Sequence, residues 1–330
     1  MGDRKKARVV GVGSYVPDEV ITNNDLEKMV DTSDEWIRTR TGIKERRVVD
    51  EDTTTSDLAY QAAKEALADA EMEAEQLDLI LVATATPDYP AFPATACILQ
   101  HKLGVKGIPA FDLAAACTGF IYGLSTATQY IETGSYENIL VVGAETLSKI
   151  VNWEDRGTCI LFGDGAGAAV LTADDKGGII NNVIGADGEM HEVLMVPGGG
   201  SKEPFSQDVL EQEANYIIME GKPVFKFAVR ILGKAAKQAL EEAGLGVDDI
   251  DFLIPHQANT RIIDAAAKRL KLNQDQIYVN LDQYGNTSAA SIPLALAEAK
   301  HKGKLQAGDI VVLVGFGAGL TWGATVIEWQ

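Results

Sequence analysis

Apolar residues recur at spacings of three and four through 62–70 (AAKEALADA), an acidic stretch follows, and then comes an almost unbroken apolar run, LDLILVA. That succession predicts a helix, a connection and a buried strand over 77–83. It returns without a gap at 235–254 (AAKQALEEAGLGVDDIDFLI), with a strand over 250–254 and Asp251 in register with Asp78. A glycine, a short apolar strand and a second glycine also occur twice, as Gly134…ILVVGly143 and as Gly308…IVVLVGly315. One Ala-rich helix resembling another is a chance event, but the matching strand makes duplication the better reading. The chain therefore divides into two αβ halves, 1–175 and 176–330. Near-continuous Val, Ile and Leu in ILVATAT, ILVVGAE and IVVLVGF is what strands show when helices cover both faces of a sheet. Residues 176–207 turn Gly-rich and polar and read as strands and loops rather than a linker.

Composition narrows the function classes. The 330 residues are 46% apolar and 23% charged, with no apolar run long enough to cross a bilayer. A formal charge of −19 repels nucleic-acid phosphates and anionic lipid heads, so neither nucleic acid nor membrane is an expected partner. The start, MGDRKKARVVGVG, has no apolar core of a secretory signal, and Lys6 breaks the myristoylation pattern. Cys97, Cys117 and Cys159 are widely spaced and odd in number, which fits neither a disulfide framework nor a zinc-ligand pair. These features predict a cytoplasmic protein with free thiols.

Cys117, in FDLAAACTGFIYGLSTATQYIETG, is predicted at the N-terminus of a helix that ends before Gly134. There the unpaired N–H groups and helix dipole favour thiolate and create a nucleophile. Cys97, in a helical stretch, and Cys159, in an apolar strand, read as small buried hydrophobes. His101, His191 and His301 read as surface or loop residues. His256 follows the strand DFLIP, at the carboxyl end where open α/β sheets gather ligands, although a satisfied core histidine is the common alternative. Asn286 in YGNTSAAS, taken alone, reads as an N-cap. The Gly-Ala-Gly turn at 317–319 reads as a plain hairpin or as a source of inward N–H groups. Gly163-Asp-Gly-Ala-Gly-Ala168 loosely matches a dinucleotide fingerprint, but the strand-like sequence after it lacks the required helix.

Together, ACTGF at 116–120, PHQAN at 255–259, YGNTSAAS at 284–291 and GFGAGLTWG at 315–323 resemble the beta-ketoacyl-[acyl-carrier-protein] synthase III family. DTSDEWIRTRTGIKERR at 31–47, AFPATAC at 91–97 and WEDRGT…LFGDGAGAAVL at 153–171 extend that likeness over nearly the whole chain. The resemblance implies a thiolase fold: an α/β protein of duplicated halves in five αβαβα layers, usually a homodimer. It implies initiation of type II fatty-acid synthesis by decarboxylative condensation of a short acyl-CoA with malonyl-ACP, giving beta-ketoacyl-ACP, CoA and CO₂. No metal or permanent cofactor is implied.

By the same likeness Cys117 is the acyl-carrying nucleophile, and His256 and Asn286 are donors to the enolate formed on decarboxylation, with the imidazole neutral. The backbone N–H groups of Cys117 and Ala318 would form the oxyanion hole. The family often has Gly-Gly-Gly at that turn, so Ala318 predicts either a backbone that avoids positive φ or a shifted geometry. Trp36, Arg40, Arg156, Asn259 and Arg261 match positions along the CoA path, where an indole stacks on adenine and guanidinium groups meet phosphates. Arg38 reads as ordinary surface charge, and Lys222 stands where the family often has Asn. Acyl carrier protein is expected at Gln257, Ala258, Asn259, Thr260, Arg261, Lys226, Lys268 and Arg269, a local basic patch on an acidic protein. Phe92 is a candidate wall of the acyl pocket, reaching across a dimer contact.

Related polyketide-type and hydroxymethylglutaryl-CoA-synthase-like enzymes share Cys-His-Asn and remain alternatives. A cysteine hydrolase and a non-catalytic acyl-ACP binding protein fit less well, because the duplicated halves and all three reactive positions are present.

Overall fold

The computed structural model describes residues 5–330. Residues 1–4, on which part of the leader and myristoylation reading rests, lie outside them. Two sheets carry the repeat. The first runs Lys6–Tyr15, Gly165–Asp174, Asn138–Glu145, Leu79–Ala83, Ala110–Leu113 in spatial order. The second runs Gly178–Ala186, Thr321–Glu328, Ile310–Gly317, Phe252–Pro255. In each, two antiparallel pairings lead into a parallel one, with Leu79 beside Ile139 and Phe252 beside Val311. Even the fifth strand of the first sheet has a vestige in the second, a parallel bridge between Leu253 and Ile277.

The paired aspartates explain one part of the repeat. Asp78 accepts the N–H groups of Glu137 and Asn138 at 2.9 and 2.8 Å, and Asp251 accepts that of Ile310 at 2.8 Å. Each carboxylate thus starts the neighbouring parallel strand by satisfying a donor at its end. The strands begin at Leu79 and Phe252, slightly later than the apolar pattern predicts, because the turns Ala74–Gln76 and Val247–Asp249 precede these aspartates.

Helix Thr55–Asp69 buries its Ala and Leu face on the outer side of the first sheet, and Gly221–Glu242 with Thr260–Leu270 does so on the second. Between the sheets lie Gly119–Glu132 and Ser291–His301, packed into a shared core with Leu81, Val141, Ile254 and Leu313. The layers are therefore helix, sheet, helix, sheet, helix. Of the dinucleotide-like glycines, Gly165 and Gly167 fall on a strand, Gly165–Asp174, rather than opening a helix, and Gly163 just precedes it. Of 176–207, the strand Gly178–Ala186 closes the second sheet and a kinked turn at Gly188–Val193 follows.

Two cysteines depart from expectation. Cys97 is exposed, since its helix turns it outward near the Ala110 carbonyl, 3.5 Å away. Cys159 is buried, but it ends a short helix, Arg156–Cys159, started by Asp155, whose side chain accepts the Gly157 N–H. The apolar pattern alone does not reveal that cap.

Contact between the central layer and the first sheet depends on Gly143. A Cβ there would lie 2.2 Å from the Ala289 carbonyl oxygen, so strand and turn could not approach. Gly143→Ala is expected to lower stability by about 1–3 kcal/mol, as forced overpacking does. Urea unfolding checks this, and an unchanged midpoint contradicts it.

Candidate active site

The strand Ala110–Leu113 runs into a tight turn, Ala116–Thr118, and only then into helix Gly119–Glu132. Ala116 takes φ +45°, a left-handed conformation that costs a non-glycine residue energy and often marks a functional turn. Cys117 therefore stands in the turn rather than in the regular helix. The Thr118 hydroxyl lies 2.7 Å from the Ala115 carbonyl oxygen and 2.8 Å from the Thr321 hydroxyl, which ties the turn to the second half.

Burial changes the chemistry expected of that sulfur. Desolvation pushes the Cys117 thiol up to about 12; the Ser288 hydroxyl offsets part of this and the Glu145 carboxylate adds to it. A helix terminus lowers a thiol pKa where solvent is near, but Cys117 is only 7% exposed, so desolvation outweighs the dipole effect expected from the sequence. The resting group is a neutral thiol.

His256 follows Phe252–Pro255, and its N–H continues the ladder to the Val314 carbonyl at 2.8 Å. Its Nδ1 lies 2.7 Å from the buried Ser291 hydroxyl, and its ring meets Phe316 edge-on at 5.4 Å. Burial lowers its pKa to about 3, so the imidazole is neutral. A hydroxyl both donates and accepts, so Ser291 supports either imidazole tautomer. Asn286 does not cap the helix Ser291–His301, whose N-cap is Ala290. Its Oδ1 accepts the Ser288 N–H at 2.9 Å, which leaves the amide N–H groups as its free end.

The 317–319 turn is a hairpin closed by Gly317 opposite Thr321. Its left-handed positions are Gly319, φ +71°, and Leu320, φ +47°, so Ala318 avoids the region an alanine resists.

Cys117, His256 and Asn286 line one cavity of about 230 Å³, which also touches Trp36, Arg40, Ala258 and Asn259. A second, apolar cavity of about 120 Å³ opens on Cys117 and Ala318 and is walled by Ala85, Leu147, Ile150, Phe162 and Ile217. The sulfur sits where the two meet. Sequence reasoning missed that inner pocket, which opens to the surface at exposed Ala85 and Val196, together with Ser291, Thr321 and Glu145. Glu145 is fully buried and accepts from Thr86 at 2.7 Å, Ala85 N–H at 3.0 Å and Ala289 N–H at 3.4 Å, joining both halves behind the sulfur. Burial raises its carboxyl above the usual range.

Among the other expected contacts, the guanidinium groups of Arg40 and Arg156 already lie over Trp36, 5.4 and 5.1 Å from its ring. Arg38 pairs with Asp34. Asn259 caps the helix Thr260–Leu270 and donates to the Arg40 carbonyl at 2.9 Å. Arg261, Lys226, Lys268 and Arg269 are exposed, with Arg261 over Phe225, while Ala258 and Thr260 are half-buried. Gln257 is a correction: it is 1% exposed, and its amide serves Pro255, Tyr278 and Asn280, so a docked protein cannot reach it. Phe92 is 84% exposed and does not reach the cavities of its own chain.

Family models described as 3-oxoacyl-[acyl-carrier-protein] synthase III and its C-terminal region match residues 111–188 and 240–329. A beta-ketoacyl-[acyl-carrier-protein] synthase III of Desulfitobacterium hafniense is 59% identical, covering 98% of this chain and 97% of its own. That of Caldanaerobacter subterraneus is 57% identical over the whole of both chains. The crystal structure of 3-oxoacyl-[acyl-carrier-protein] synthase III from Aquifex aeolicus superposes with a TM-score of 0.91 at 47% identity, covering 98% of this chain and 100% of the other.

A thiol held up to about 12 makes reactivity climb with pH. Alkylation of Cys117 by iodoacetamide is expected to accelerate continuously from about pH 6 to about pH 9, since only thiolate reacts. A plateau near neutrality contradicts the burial argument.

Proposed function

This chain belongs to the beta-ketoacyl-[acyl-carrier-protein] synthase III family, with a thiolase fold, and from that premise we propose how its own residues carry the reaction. It is the initiating condensing enzyme of fatty-acid synthesis, an acyltransferase acting on acyl-CoA and malonyl-ACP. What supports the assignment of roles is one sulfur, one imidazole and one carboxamide lining a single cavity with an apolar pocket behind the sulfur.

In the first step the Cys117 sulfur attacks the thioester carbonyl. Its proton leaves as the new C–S bond forms, because both thiol and imidazole are neutral at rest. His256 is the neutral base among the cavity's lining residues, and it passes that proton to the departing CoA sulfur. The N–H groups of Cys117 and Ala318 receive the tetrahedral oxyanion. Acyl-cysteine and CoA result, with the acyl chain in the pocket formed by Ala85, Leu147, Ile150, Phe162 and Ile217.

Malonyl-ACP then enters by the same cavity. Its carboxylate carbon–carbon bond breaks, CO₂ departs, and the electron pair moves to an enolate whose oxygen accepts from His256 and Asn286. The enolate carbon attacks the acyl-cysteine and expels the sulfur, which takes a proton from solvent through the cavity, because its own left with CoA in the first step. A neutral imidazole can serve both steps, as acceptor and then as donor, with Ser291 adapting to each tautomer. A hydrolase relying on a thiolate–imidazolium pair would need the opposite pKa pattern.

Trp36, Arg40, Arg156, Asn259 and Arg261 are assigned to CoA; Arg156 must swing off the indole for adenine to stack. Arg261, Lys226, Lys268, Arg269, Ala258 and Thr260 are assigned to the acidic carrier protein. The two halves are taken as 1–175 and 176–330. A homodimer is supported by the half-exposed edge strand Ala110–Leu113, which has a sheet neighbour on one side only, and by the exposure of Tyr89 and Phe92. A partner's Phe92 would then close the acyl pocket. No helix of the described residues is long and apolar enough to cross a membrane, and we assign the protein to the cytoplasm.

Removing one enolate donor, by His256→Ala or Asn286→Ala, is expected to slow malonyl-ACP decarboxylation by about 10²–10³-fold, or ~3–4 kcal/mol. Release of CO₂ measures this; Asn286→Ala should still acylate Cys117 stoichiometrically. Ala85→Leu, which fills the inner pocket, is expected to favour acetyl-CoA over isobutyryl-CoA by about tenfold or more in competition. Unchanged primer preference places the acyl chain elsewhere.

A further inference from the structure

Behind the Asn286 turn lies an arginine that the mechanism does not use. Arg46 is fully buried. Its Nη1 donates to the Ile21 carbonyl at 3.1 Å and to Asn23 Oδ1 at 3.0 Å, and its Nη2 donates to the Ile160 carbonyl at 2.8 Å. Among the described residues no carboxylate accepts from it, and its neighbour Glu45 lies 3.5 Å from Arg47. Burial lowers its pKa to about 10, and the nearby Cys159 and Glu45 offset part of that fall. Such a group is costly unless its hydrogen bonds serve a purpose.

Those bonds lead to the site. The Ile160 carbonyl opens the segment 160–163, whose Leu161 carbonyl accepts the Asn286 N–H at 2.8 Å and whose Gly163 N–H donates to the Asn286 carbonyl at 3.1 Å. Phe162 and Asn286 pair as an isolated parallel bridge. Gly285, at φ +65°, brings the turn against the arginine: a Cβ on it would lie 3.3 Å from the Arg46 Cβ. One on Gly163 would lie 3.0 Å from the same atom. The arginine stem thus backs both residues that flank the bridge.

We propose that Arg46 is a positioning residue for Asn286, fixing the 160–163 segment so that the carboxamide is held at its place in the cavity. The proposal rests on Asn286 acting in decarboxylation. Cys117 is reached by a separate turn, Ala116–Thr118, and of the acyl-pocket walls only Phe162 belongs to 160–163, so acylation depends on this support less than the placing of Asn286 does.

Arg46→Met and Arg46→Lys test it by two readouts: the single-turnover rate of Cys117 acylation and the rate of CO₂ release from malonyl-ACP. Arg46→Met is expected to slow CO₂ release by about tenfold or more while changing acylation less than about threefold, as displacement of a reacting group does. Arg46→Lys should recover part of the loss, since its ammonium can still donate to these acceptors. A folded Arg46→Met protein in which both steps fall alike, or neither falls, overturns the proposal. Should that variant fail to fold, Asn23→Ala, which removes one anchor, decides by the same split: a selective loss supports the proposal, and an equal loss or none overturns it. Asn286→Ala is measured alongside. If it leaves CO₂ release intact, the reading of Asn286 fails and the proposal falls with it; if it is slow beside an unaffected Arg46→Met, the proposal alone fails.

Discussion

The close meeting of the first sheet with the turn that leads into the central helix Ser291–His301, across a glycine, is the constraint on which the site depends. Strand Asn138–Glu145 and the Ser288–Ala290 turn can touch only because Gly143 has no side chain. That contact brings Glu145 against the Ala289 N–H, and the Thr118–Thr321 pair joins the Cys117 turn to the hairpin at Ala318. A sulfur from one half is thereby enclosed by groups from the other, and neither half alone could exclude water from it.

Enclosure sets the electrostatics. Removal from solvent pushes the thiol up to about 12 and the imidazole down to about 3, so the resting cavity carries no thiolate–imidazolium pair. Charge that develops during acyl transfer or decarboxylation then meets oriented donors in a low-dielectric site, where they act most strongly. Arg261, Lys268 and Arg269 are exposed basic residues that a net charge of −19 conceals, and it is to these that we assign the steering of substrates.

Much of this was legible in the residues. The repeated helix–strand pattern marked the duplication, and Asp78 and Asp251 proved to do the same work at the start of equivalent strands. Cys117 and His256 stood out because each follows a strand at a turn, whereas Asn286 follows the short helix Leu281–Tyr284 and stood out only through the family resemblance. The inner pocket was not legible, since Leu147, Ile150, Phe162 and Ile217 look like any core residues until their facing sides are known. Gln257 sits in a recognisable motif, yet motif membership says nothing about which side chains face outward. The thiol pKa was misjudged for a related reason: local sequence shows a helix terminus, whereas desolvation comes from distant elements. Ser291 was hidden in plain helix sequence, and only packing brings it to His256.

The most direct measurement is mass spectrometry of peptides after brief exposure to acyl-CoA, repeated after adding malonyl-ACP. The acyl mass should appear on the peptide containing Cys117 and vanish on the second addition, with ketoacyl-ACP and CO₂ formed in equal amounts. An acyl group carried by Cys97 or Cys159 instead, or lost from Cys117 as free acid, contradicts the account.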